Sequence, residues 1–444
     1  MMNKIKESLF KRVSIAPLVV FRIVFGSLLL YSTIRTISKG WVDELYIDPS
    51  FYFSFFSWLK PLEGNGMYVV FGLLVVSSLG IVIGFLYRLN AILFFLLFAY
   101  CELLDKTFYL NHYYLVSLLS FLLIVVPAHG RFSVDALLFS GVKRDNCAQW
   151  QVLIFKIQLS VVYFFAGLAK VNEDWLIHAQ PLATWLPSRY GLPIIGQWMH
   201  LKEVAMLFSW MGCLYDLFIW VFLLVKRTRL LAYVAVVVFH VLTGILFPSI
   251  GMFPYIMMVS TIVFFSSEWH SKVLRILSFN QISDSNVLRS FDRAKVNYGA
   301  FTFFLAYLFV QLYLPLRHFN YEGNLFWHEQ GYRFSWRVML MEKNGYTAMV
   351  VKDPVKQVQK EVHFDQYLTP FQIQQMKTQP DMLQQFANYI GDQFLDDKGY
   401  EPEIFVVSRL SLNGRRSQPF TNDTMNIYNQ QDLIEKGWIV PFVE

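Results

Sequence analysis

Long apolar runs separated by short polar loops fill roughly the first 316 residues of the chain. A helix that crosses a bilayer needs about 20 mainly apolar residues. About nine runs approach that length: residues 16–36, 67–87, 90–104, 112–127, 150–170, 204–225, 230–247, 253–266 and 298–316. The third, fourth and eighth are short for a full crossing. They are expected to tilt, to re-enter or to pack inside the bundle. From about Arg317 onward the pattern changes to alternation and Gln/Asp-rich stretches. Residues 336–342 and 346–352 read as two strands joined at Asn344-Gly345, a pair that type I′ hairpins favour. Residues 369–393 have helical spacing. Residues 403–412 and those from Gln418 flank a second Asn-Gly pair, Asn413-Gly414. The pattern predicts a polytopic α-helical membrane domain of about 8–9 transmembrane helices over residues 1–316. A β-rich α+β extracytoplasmic domain follows over residues 317–444.

Composition agrees with the pattern. Of 444 residues, 55% are hydrophobic and 16% charged, and the mean hydropathy is +0.40. A soluble domain carries about 25% charged residues. The net charge of +6 is no nucleic-acid signal, because the cations cluster in short loops between apolar runs. Lys4, Lys6, Lys11 and Arg12 precede the first run, and Arg88 follows the second. Arg131, Lys143 and Arg144 come next, then Lys226, Arg227 and Arg229. The last group is Lys272, Arg275, Arg289, Arg293 and Lys295. The alternate loops carry Asp43, Glu44, Asp48, Glu173 and Asp174. Excess Lys and Arg marks cytoplasmic loops, so the N-terminus is expected inside and the C-terminal domain outside. The basic, amphipathic start and the long first run without a cleavage site read as a first span rather than a signal peptide.

The three cysteines rule out a disulfide framework. Cys147 falls in an inner loop. Cys101 and Cys213 lie toward the outer side, where a bridge between them would have to form, but buried free thiols are the expectation. Asn422-Asp423-Thr424 is a glycosylation triplet of a kind that chance often produces.

Ionisable groups at membrane depth are costly and therefore informative. Three clusters qualify, all toward the outer side. The first is Asp105-Lys106-Thr107 followed by Asn111-His112. It reads equally as a helix cap and an interfacial histidine. The second is VYFFAGLAKVNEDWL, in which an apolar run ends in Lys170, Asn172, Glu173, Asp174 and Trp175. A lysine there complements the helix dipole, and a tryptophan suits the interface. The small residues Ala166, Gly167 and Ala169 would also let a backbone or a flat ring approach closely. A lysine desolvated in such a pocket loses affinity for its proton and can act as a base. The third is His240 in mid-run, ahead of Phe247-Pro248 and Gly251-Met252-Phe253-Pro254. It reads as a structural hydrogen bond or as pocket lining.

Five segments, in order, resemble the vitamin K-dependent gamma-glutamyl carboxylase family: LLDKTFYLNHYYL, VPAHGRFSVDALL, VYFFAGLAKVNEDWL, FHVLTGILFPSIGMFPY and HEQGYRFSWRVMLMEK. The resemblance runs from about residue 10 to the C-terminus. It implies a membrane enzyme that uses reduced vitamin K (phylloquinol or menaquinol) with O2 and CO2. In that family a lysine deprotonates the hydroquinone, O2 adds, and the oxygenated product removes a glutamate γ-proton. CO2 then traps the carbanion, and vitamin K leaves as the epoxide. The matching residues are Lys170 as base and Asn111 and His112 as the cofactor- and carbanion-stabilising pair. His240, with Ala166, Gly167 and Trp175, would line the cofactor pocket. The implied partners are a glutamate-containing peptide or protein and the bilayer; a bacterial inner membrane is the expected location, with an endomembrane as the alternative. Two features depart from the animal enzyme. Ala169 stands where it has a first lysine, and this chain is much shorter, which bears on propeptide-type recognition. A quinol oxygenase that carboxylates no protein is one alternative. A non-catalytic membrane protein binding a lipid or partner is another. The enzymatic readings require Lys170 buried and facing His112 across a common cavity; the last requires Lys170 turned to solvent or headgroups.

Overall fold

The computed structural model describes residues 2–278, 297–429 and 437–444. Arg289, Arg293 and Lys295, expected in the last basic loop, lie outside them. Nine apolar helices order the first part of the chain: α1 (Ala16–Ser38), α2 (Gly66–Ile83), α3 (Tyr87–Leu104), α4 (Asn111–Val125), α5 (Gln149–Ala169), α6 (Lys202–Leu224), α7 (Arg229–Leu246), α8 (Phe253–Thr261) and α9 (Tyr298–Leu316). Among the described residues, seven helices are long and apolar enough to cross a membrane. The helices at α4 and α8 are shorter, as their runs predict. The third run is longer than expected: α3 begins at Tyr87 and reaches 18 residues. It absorbs Arg88, whose side chain is exposed at the helix end, where a long cation can keep its head in water. This series of apolar helices makes the chain an integral membrane protein.

Local chemistry explains the helix ends. Pro17 sits in the first turn of α1, where its fixed φ is already helical. The carboxylate of Asp135 supplies the cap that α3 lacks, accepting from the N–H groups of Leu86 (2.8 Å) and Tyr87 (2.9 Å). Arg22, fully buried in α1, donates to the carbonyls of Ile81 and Val82 at the end of α2. Phe21, Phe25, Leu119, Phe155 and Leu159 are among the residues packed in the apolar centre of the bundle.

The C-terminal part carries a four-stranded antiparallel sheet and two helices. The strands are β1 (Lys343–Asp353), β2 (Val358–Glu361), β3 (Glu403–Leu412) and β4 (Gln418–Pro419), in the order β2-β1-β3-β4. Helices α10 (Pro370–Met376) and α11 (Pro380–Lys398) lie between β2 and β3 in sequence. Leu383, Phe386 and Ile390 of α11 share one core with Met349, Ile404 and Val406 of the sheet. The hairpin expected at Asn344-Gly345 is not formed, and residues 336–342 are not a strand. Both turn residues lie inside β1, paired with Ser411 and Leu410 of β3. The real reversal follows Asp353, whose carboxylate accepts from the N–H groups of Val355 and Lys356. The second Asn-Gly pair does turn the chain. Asn413 (φ 50°) and Gly414 (φ 76°) are both left-handed and join β3 to β4.

This domain is fastened to the loops at one end of the bundle. Gln372 donates to Phe51 O (2.8 Å) and to Asp105 Oδ2 (2.9 Å). Asp381 takes Lys106 at 3.2 Å and Arg333 at 2.7 Å. Asp174 accepts from Asn413 Nδ2 at 2.7 Å and from Arg415 Nη2 at 2.5 Å.

Candidate active site

The centre of the site is the end of α5. Lys170 is its C-cap residue, and its side chain folds back along the helix instead of reaching out. The Nζ donates to Ala166 O at 3.1 Å and to Asp216 Oδ2 at 2.8 Å, and all three groups are buried from water. Asp216 comes from the mainly apolar body of α6, whose other charged residues, Lys202 and Glu203, are confined to its first turn. It reaches Lys170 because α5 and α6 meet at Gly167. A Cβ there would stand 2.5 Å from the backbone nitrogen of Leu217, so only glycine permits the contact. The small residue at this position thus admits a neighbouring helix backbone, and Gly167 is not part of the cavity wall.

Beyond the lysine the chain turns at once. Asn172 caps the short helix Glu173–Leu176 by accepting from Trp175 N at 3.0 Å. This sets the Trp175 indole 5.3 Å from the Lys170 ammonium, within cation–π range. Trp175 Nε1 donates to Ser209 O at 2.7 Å, and the Ser209 hydroxyl donates back to Trp175 O. The ring is therefore pinned to α6.

These groups line one cavity of about 140 Å³. Lys170, Asp216, Trp175, Ala166 and Tyr163 form one side. His240 and Thr243 of α7 and Phe253 and Met257 of α8 form another. Val338 and Met339, from the C-terminal part, close it. The walls are mainly apolar, with a few convergent polar groups, which is the usual make-up of a small-molecule site. His240 Nε2 lies 3.3 Å from the Tyr163 hydroxyl. Its Nδ1 is buried without a partner, and buried polar atoms are normally satisfied. A ligand with a hydroxyl or carbonyl would satisfy it. Apolar walls with an amine on one side and an imidazole on the other fit a quinol ring bearing an apolar chain.

Of the residues singled out in sequence, Lys170, His240, Ala166 and Trp175 meet around this cavity. Asn111 and His112 do not line it, so the expected common cavity of Lys170 and His112 is not formed; the imidazole that shares the Lys170 cavity is His240. Asn111 Nδ2 donates to Arg337 O at 2.7 Å, tying α4 to the C-terminal part. The His112 ring packs 5.9 Å from the Phe253 ring, whose other neighbour is His240 at 5.2 Å. One aromatic side chain thus touches both imidazoles and forms part of the wall on the His240 side. The lysine is desolvated as expected, but it is not a lone amine. Asp216 was missed in the sequence, although an acid inside a 23-residue apolar helix is the kind of signal that marks function. All three cysteines are free and buried, so Cys101 and Cys213 form no bridge.

Residues 10–269 match the HTTM domain model, which covers more than half of the chain. The chain therefore belongs to the HTTM family of membrane proteins. Residues 297–444 match the lumenal domain of vitamin K-dependent gamma-carboxylase. With both domains in this order, the protein is a member of the gamma-carboxylase family. No solved structure matches the chain.

Proposed function

We propose that this protein is a vitamin K hydroquinone-dependent carboxylase of peptidyl glutamate, with Lys170 as the base that accepts a quinol proton. The carrying observation is the buried Lys170 amine on the wall of an apolar cavity that also presents His240. A lysine turned to headgroups, as a purely lipid-binding protein would leave it, does not have this environment.

The hydroquinone, once bound, supplies with O2 the strong base that no side chain can provide at neutral pH. The protein's own groups have simpler tasks. Lys170 Nζ takes the proton of a quinol hydroxyl. The His240 imidazole would offer a hydrogen bond to the ring's other oxygen. The Trp175 indole flanks the amine and limits its motion. The walls contributed by Phe253, Met257 and Met339 keep water from the reacting centre. His112, across the Phe253 ring, and Asn111, held on Arg337 O, would serve the glutamate side of the reaction. A polyprenyl tail would hold the quinol in the bilayer beside the cavity, at about 0.8 kcal/mol per CH2 removed from water. The basic loops support an N-terminus on the cytoplasmic side, read here as that of a bacterial inner membrane. The C-terminal domain and the peptide approach from the opposite face.

The direct test is incorporation of labelled bicarbonate into a glutamate peptide by purified protein with reduced vitamin K and O2. Epoxide formation is followed in parallel and should vanish in Lys170→Ala. Unchanged epoxide yield would remove Lys170 from the mechanism. Epoxide without any labelled peptide would leave a quinol oxygenase.

A further inference from the structure

We infer that Asp216 is the proton store of Lys170, so that the two side chains work as one base, with Asp216 as its positioning residue. The inference rests on the reading of Lys170 as the group that deprotonates the quinol. Three observations carry it. The two side chains share a 2.8 Å hydrogen bond. Both are buried, with side-chain exposures of 8% and 10%. The close helix contact at Gly167, which admits no other residue, is what brings them together.

A lysine bound to a carboxylate starts as an ammonium, and an ammonium is not a base. Moving one proton along the existing hydrogen bond solves this. The Nζ–H bond breaks, an O–H bond forms on Asp216 Oδ2, and the pair stays neutral overall. The freed amine then takes the quinol proton: the quinol O–H breaks and a new N–H forms. The pair gains a charge of +1 as the quinol gains −1, in a cavity with little water to compensate either. Each change offsets the other at short range, where opposite charges are strongly coupled. No proton has to leave for solvent first.

The other titratable groups facing the pair are Tyr163 on α5, Tyr215 and Cys213 on α6, and His240 on α7. None of these is within hydrogen-bonding distance of the Lys170 amine, whose partners are Ala166 O and Asp216. α8 presents only apolar side chains to the cavity, Phe253 and Met257.

The test uses the full-length protein in detergent. Acetylation of Lys170 by acetic anhydride, followed by mass spectrometry across pH in quinol-free protein, reports where the amine becomes nucleophilic. The acid limb of hydroquinone-dependent O2 uptake reports where the working form is lost. In wild type the acid limb should lie more than about one pH unit below the acetylation midpoint. In Asp216→Asn the acetylation midpoint should fall by more than about one unit, and the two midpoints should coincide. The inference is overturned if they coincide in wild type, or if Asp216→Asn leaves the acetylation midpoint unmoved. The wild-type comparison needs no variant to fold. Absence of any Lys170-dependent O2 uptake would overturn the proposed function instead, and the acetylation shift would still report the coupling of the pair.

Discussion

The backbone nitrogen of Leu217 lies where a side chain on Gly167 would have to go, 2.5 Å from the position of its Cβ. Three residues along α5 and one residue back on α6, the same contact leaves Lys170 and Asp216 within hydrogen-bonding distance. Gly167→Ala should therefore push α6 away, displacing Asp216 although residue 167 itself does not line the cavity. Forced overpacking of this kind costs about 1–3 kcal/mol. The expected result is a lower thermal midpoint together with loss of most quinol oxygenation. Thermal unfolding and O2 uptake measured on the same preparation check it, and wild-type values for both would refute the account of this contact.

His240 lines the Lys170 cavity, whereas His112 sits across the Phe253 ring. Their substitutions should separate. His240→Ala should raise the KM for the hydroquinone several-fold, with a smaller change in kcat. His112→Ala should leave that KM near wild type and lower the ratio of carboxylated peptide to epoxide. Steady-state kinetics with both products quantified distinguish the two, and identical effects of both substitutions would contradict the arrangement.

Asp381 is the ionic link between the C-terminal domain and the loop before α4. Burial works against its charge, but Arg333 at 2.7 Å and Lys106 at 3.2 Å outweigh it and hold the carboxyl down to about 2. A carboxyl with a depressed folded value adds stability above its ordinary value, about 3.9. That stability is lost as pH falls toward 2. Its size is on the order of 1–2 kcal/mol, because the side chain is a quarter exposed. Asp381→Asn should thus lower the thermal midpoint at pH 5 and lose less than wild type between pH 4 and pH 2. Parallel curves for the two proteins across that interval would show that the link contributes nothing.

Asp174 receives both Asn413 and Arg415. Asp174→Ala removes the shared acceptor and leaves the buried Asn413 amide with only a 3.5 Å contact to Leu340 O, a loss of about 1–3 kcal/mol. Limited proteolysis should then cleave near Asn413-Gly414 faster than in wild type. An unchanged digestion rate would indicate that the turn is held by other contacts.

The membrane part was legible because lipid imposes a length and a composition that local sequence displays directly. The runs at 16–36, 150–170 and 204–225 correspond to α1, α5 and α6 within a few residues. Residues 403–412 were read as a strand, and β3 occupies them. The Asn344-Gly345 turn failed because a dipeptide reports only local preference. Pairing with β3, more than 60 residues away, decides that segment instead. At the site, Lys170, His240 and Trp175 announced themselves by polarity at the ends or middle of apolar runs. Asp216 carried the same signal, but its partner lies 46 residues away and only the α5–α6 contact reveals it. The separation of His112 from the cavity depends on the position of one phenylalanine ring, which no local pattern encodes.

The fastening of the C-terminal domain has a consequence for how the protein is made. Asp105, Lys106, Asn111 and Asp174 find their partners in residues 337–415, which leave the ribosome long after the helices that carry them. Chains fold broadly in the order of synthesis. Until the last third arrives, the loop flanking Lys170 has no counterpart to hold it, and Val338 and Met339 are not yet in place to cover the amine. The cavity at Lys170 is therefore complete only after the final segment has folded against the bundle.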